Sequence, residues 1–155
     1  MLKDSLLPLA LSGLLIAAPA LATDTAAHSH GDHTGSGLVL SLDAGEKWMT
    51  DPPLREGMTG IRDAVAAVGG AEATPSATYP QLADQIEEGV NYVIENCNLP
   101  LEADLQLHSV LEHLFAGIEQ LRTPGQAEEG LHVVVEALNG YGEHFDHEGW
   151  QPLDL

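Results

Sequence analysis

The chain has 155 residues, with 24 Asp and Glu against 5 Lys and Arg, a formal net charge of −19 at pH 7. A surface this acidic repels nucleic acid and anionic membranes, and it attracts metal cations and basic proteins. A single cysteine, Cys97, excludes an internal disulfide.

The first 22 residues read as a secretory leader. Lys3 gives a thin positive start, Ser5 to Ala18 an apolar stretch, and Ala20-Leu21-Ala22 a cleavage site. At about 14 residues the apolar stretch is too short to span a bilayer comfortably. No cysteine follows the cleavage site, so no lipid anchor is expected. The expectation is a periplasmic protein with no membrane span after cleavage, its mature chain of roughly 130 residues forming one domain.

Residues 23–42 read as a flexible N-terminal segment containing His28, His30 and His33 in H-S-H-G-D-H. That stretch is either a loose trap for Cu(II) or Zn(II) or a plain leader. Residues 43–155 carry the fold. Asp43 followed by Glu46 has the spacing of a capping box opening one helical turn through Trp48. Asp51 with Pro52 marks a fresh start, as N-cap and first helical residue.

Periodicity predicts four helices. The first runs from about 52 to 68, with Leu54, Met58, Ile61, Val65 and Val68 on one stripe. The second, about 80–97, carries Leu82, Ile86, Val90, Val93 and Cys97. The third, about 100–121, has a stripe of Leu107, Leu111, Leu114, Ile118 and Leu121, widened by Leu101, Leu105, His108 and Phe115. The fourth, about 127–145, turns Leu131, Val134, Val135, Leu138, Tyr141 and Phe145 inward, and the tail leaves it at Gly149. No strand pattern competes. The expected fold is all-α, an antiparallel up-down four-helix bundle with a short N-terminal extension.

Up-down connectivity sends five soft or borderline ligands to one end of such a bundle. Met58 lies roughly 9 Å and His108 roughly 12 Å inside their helices, at 1.5 Å per residue. Cys97 closes the second helix, while His144 and His147 close the fourth. Met58 and Cys97 continue core stripes, and His108 is read as flanking the third stripe on its inward side. His144 is offset by about 100° from Phe145, so His147, on a chain turning back at Gly149, ranks slightly above it as fourth ligand. Phe145 and Trp150 would shield either. Thiolate, thioether and imidazole together select Cu(I) and resemble the donors of electron-transfer copper sites, whereas zinc seldom uses Met. The residues therefore point to a mononuclear, cupredoxin-like Cu(I)/Cu(II) site, serving copper transport or one-electron transfer. A bridge through Cys97 would instead make a homodimer, and Met, Cys and His are each ordinary core packing in other proteins. In that last case an acidic module docking a basic protein partner remains, with no cofactor.

Enzyme chemistry is not expected. The chain has no G-x-S-x-G, H-E-x-x-H, P-loop or EF-hand spacing, nor Glu-x-x-His on two facing helices.

Lys47-Trp48, Leu54-Arg55-Glu56-Gly57-Met58, Asn96-Cys97-Asn98-Leu99, Leu107-His108, and the run from Ala137 to Trp150 together resemble a family of small exported proteobacterial proteins. In architecture the chain also resembles the cytochrome b562 and cytochrome c′ bundles. The first of these implies haem b held by a methionine early in helix one and a histidine late in helix four. Met58 with His144 or His147 would occupy those positions. Covalent haem is excluded because C-x-x-C-H is absent.

Overall fold

Asp51 begins the first helix as its spacing predicts. Its Oδ1 accepts the Leu54 N–H at 2.9 Å, and its Oδ2 accepts the Asn98 N–H at 2.6 Å. One carboxylate thus caps a helix and fastens the turn between the next two. The computed structural model describes residues 37–69 and 78–154, in which the helices are α1 (Pro52–Gly69), α2 (Thr78–Asn96), α3 (Leu101–Arg122) and α4 (Ala127–His144). The predicted leader and the H-S-H-G-D-H stretch lie outside the described residues. No described helix is long and apolar enough to cross a membrane.

The helices pack in chain order as an up-down four-helix bundle, with no strand among the described residues. Leu54, Met58, Ile86, Val90, Val93, Leu114 and Leu138 are fully buried at its centre. Each such side chain contributes about 1.5–3 kcal/mol of transfer free energy, which drives the collapse. At the α3–α4 contact Gly130 lets backbone meet backbone. A Cβ there would lie 2.6 Å from the Leu121 nitrogen and 2.8 Å from the Gly117 oxygen.

α1 and α4 scarcely touch directly. The C-terminal segment, residues 145–154, fills the seam between them as a strap without regular structure. Phe145 is fully buried, Trp150 is half-buried, and Leu153 is tied to Asn139 by two bonds of 2.8 and 2.9 Å. From α1, Arg62 donates to the Gln151 carbonyl at 2.7 Å and sits 6.0 Å from the Trp150 ring centroid. The strap is the fifth wall of the core.

Two N-terminal expectations need correction. Residues 43–46 form a tight reverse turn, not a helical one: Asp43 and Glu46 exchange backbone bonds of 2.8 and 2.9 Å. Ala44 and Gly45 both have positive φ, 50° and 97°, which fits a type I′ turn and no helix. Residues 38–42, expected to be flexible, are docked on the bundle. Leu40 packs against the core, the Ser41 N–H bonds Gln106 at 2.8 Å, and the Trp48 indole donates to the Ser41 carbonyl. Trp48 and Asp146 then clasp the two termini through backbone bonds, Trp48 N–H to His144 O and Asp146 N–H to Trp48 O, both 2.8 Å.

Candidate functional site

The five expected metal ligands go to different surroundings. Met58 is fully buried inside the bundle. Cys97 is half-buried just past α2, its N–H bonded to the Val93 carbonyl at 2.9 Å. Burial, then the Asp51 and Asp104 carboxylates, push its thiol above the ordinary range. Such a thiol is less ready to become the thiolate that binds metal.

His108 is turned outward, its side chain 65% exposed. Its Nδ1–H donates to the Asp104 carbonyl at 2.8 Å and stands 3.6 Å from the Asp104 carboxylate. The reason is angular. Each residue advances a helix by about 100°, so His108 falls far from the centre of the stripe that Leu107, Leu111 and Leu114 define. His144 likewise spends its Nδ1–H on its own helix, at 2.8 Å from the Gly140 carbonyl. It lines a groove with Leu38, Leu40, Glu136 and Glu143.

His147 does fold back, as the turn at Gly149 (φ 80°) permits, and lies under the strap. Tyr141 and His147 approach to 3.0 Å between phenol oxygen and Nδ1, while Nε2 stands 3.4 Å from Thr59 Oγ1. Burial holds the Tyr141 phenol well above its usual value, so it meets Nδ1 un-ionised. Burial first, then Arg55 and Arg62, hold the His147 imidazole below its usual value. The rings of Tyr141, Phe145, His147 and Trp150 stack around this pair at centroid distances of 4.9–5.8 Å. The Trp150 indole lies flat on Gly142, where any side chain would collide, and its buried N–H has no acceptor among the described residues.

Shared neighbours link these groups: Asp104 acts on Cys97 and bonds His108, and Asp51 acts on Cys97 and on Tyr141, the partner of His147. Among the described residues no three His, Cys, Asp or Glu side chains gather closely enough to hold a metal ion. The sequence pattern hid a second feature of α3. Leu101, Leu105 and Phe115, read as widening the inward stripe, are 67%, 56% and 40% exposed. With His108, Glu112 and Glu119 they fall at i, i+4, i+7, i+11, i+14 and i+18, a mixed polar and apolar line roughly 110° round the helix from the Leu107 stripe at 100° per residue. Ile94, on the last turn of α2, is also half exposed, at 53%.

Lys47 donates to the Gly142 carbonyl at 2.6 Å, Arg55 to Thr50 at 2.8 and 2.9 Å, and Arg62 to Asp63 and Gln151, both at 2.7 Å. All three belong to the α1–α4 side. Arg122 at the end of α3 is shared between Asp84 and Glu87 of α2, each at 2.7 Å. Exposed Glu88 and Glu95 on α2, and Glu102, Glu112 and Glu119 on α3, have no cationic partner among the described residues. No protein-family model, characterised protein or solved structure matches this chain.

Proposed function

We propose that the protein, exported by the leader read in its sequence, is an acidic docking module that holds a basic protein partner. The observation that carries this reading is the fate of the cations. Lys47, Arg55, Arg62 and Arg122 each already have an acceptor within the fold, so the carboxylates of α2 and α3 are left to attract charge from outside. A surface with this excess raises the encounter rate of a basic partner and repels anionic ones. Copper and haem stay as alternatives that the test below separates, since His108 and His144 each use only Nδ1 on their own helix and keep Nε2 open.

The test uses the full chain and two ligands of known composition. One is an amphipathic helical peptide of Leu and Lys, the other poly-L-lysine. The docking reading predicts that the amphipathic peptide still binds at physiological ionic strength, where long-range attraction between exposed charges is largely screened. Loss of all binding there would remove it. In parallel, Cu(I), Cu(II) and haem b are added during thermal unfolding. A ligand that binds only the folded state must raise the melting temperature. The docking reading expects no rise, whereas a saturable rise at one equivalent of copper, abolished by Cys97→Ser, would establish a copper carrier instead.

A further inference from the structure

The C-terminal strap crosses the seam between α1 and α4 without regular structure, and one ring in it reaches both helices. The His147 Nδ1 stands 3.0 Å from the Tyr141 phenol oxygen of α4, and its Nε2 stands 3.4 Å from Thr59 Oγ1 of α1. Beyond it the chain turns at Gly149, whose φ of 80° suits glycine, and lays Trp150 beside the ring at a centroid distance of 5.0 Å. Farther on, the strap is held by the bond from Arg62 to the Gln151 carbonyl and by the two bonds between Asn139 and Leu153. Those ties carry no group that titrates near neutrality, so His147 is the part of the strap that answers to mild acid.

We propose that the strap is an acid-released latch, with the His147 ring as the catch that joins it to both helices. The latch does not depend on the docking reading. A neutral imidazole has one donor and one acceptor nitrogen, so in either tautomer one of the two hydroxyls donates to it. The imidazolium donates from both nitrogens, and that hydroxyl must then turn its proton elsewhere. Where the hydroxyl is that of Tyr141, which is fully buried, the displaced proton has no second acceptor among the described residues. Charge acts in the same direction. From α1 the Arg55 and Arg62 guanidiniums act on His147, and both repel an imidazolium. The carboxylates of the packed elements are engaged or turned to solvent: Asp63 pairs with Arg62, Asp51 caps α1, and Glu56 accepts from Tyr92. Glu143 lines the groove beside Leu38, and the flanking Asp146 and Glu148 are exposed. From α4 the facing group is the Tyr141 phenol, while His144 is bonded to the Gly140 carbonyl. Protonation thus loosens the catch at one hydroxyl and sets it against two cations.

Amide hydrogen exchange on the full chain tests the latch, with protection corrected for the intrinsic effect of pH. The Trp150 amide, bonded to the His147 carbonyl at 3.1 Å, and the Leu153 amide, bonded to Asn139 at 2.8 Å, report on the strap. The amides of the fully buried Ile86 and Val90 report on the bundle. As the pH falls from about 7.5 to about 5, across the usual histidine range, strap protection should drop at least about threefold while bundle protection holds. In His147→Gln the drop should disappear, with the four helices intact by circular dichroism. In the parent chain the Trp150 indole signal should titrate at the midpoint of the His147 ring, a check that needs no variant. Strap protection that ignores pH, that falls together with the bundle, or that still falls in His147→Gln would overturn the latch. An indole midpoint that departs from that of the ring would overturn it too.

Discussion

The two long sides of the bundle solve the same packing problem differently. Where α1 and α4 stand apart, the chain covers the gap with its own tail and places Lys47, Arg55 and Arg62 there. Along α3, by contrast, Leu101, Leu105 and Phe115 stand exposed on one line with Glu112 and Glu119, carboxylates that have no cationic partner among the described residues. A closed side stabilises the fold. An open side that costs the fold nothing is free to meet another molecule.

This difference can be broken by mutation, and the strap should yield first. Phe145 is fully buried and stacks on Tyr141 at 5.0 Å, so Phe145→Ala should lower stability by about 3–5 kcal/mol in urea unfolding. A loss under 1 kcal/mol would mean that the strap is not part of the core. Gly142→Ala puts a methyl group where the Trp150 indole lies. It should cost about 1–3 kcal/mol by overpacking and red-shift the tryptophan emission as the indole moves toward water.

Acid should act on the strap. Because His147 is held neutral below its usual value of 6.5, the unfolded chain takes up its proton first as pH falls. The stabilisation is complete above about pH 6.5 and is lost as the pH drops from there toward the folded-state value. His147→Gln should flatten the stability profile in that window. The smallest effect belongs to the open side. Leu105→Gln should change stability by no more than about 0.5 kcal/mol, as expected for an exposed position.

The same contrast governs what could be read from the residues. Helix boundaries were legible to within two residues, because stripes of period 3.6, the Asp51 cap and the Pro and Gly stops all agree. The Asp43/Glu46 turn was misread because a capping box and a tight reverse turn share the same end residues. Positive φ at Ala44 and Gly45 decides between them. His108 was misplaced because Leu101, Leu105 and Phe115 were merged with the Leu107 stripe, which made an exposed histidine look inward. The return of His147 was legible from Gly149, but its partners were not: Thr59 lies 88 positions away and the strap has no periodicity to follow. Convergence at one end of a bundle fixes height along the axis. It does not fix direction around it, and ligands need both.

The most direct measurement is an amide chemical-shift map of the isotope-labelled full chain titrated with the Leu/Lys peptide at physiological salt. Shifts should concentrate on the α2 and α3 residues whose carboxylates have no cationic partner among the described residues, Glu88, Glu95, Glu102, Glu112 and Glu119, with the indole and amide of Trp150 unmoved. Shifts spread evenly over all acidic surfaces, or centred on the strap, would contradict the assignment of the α2 and α3 side as the docking face.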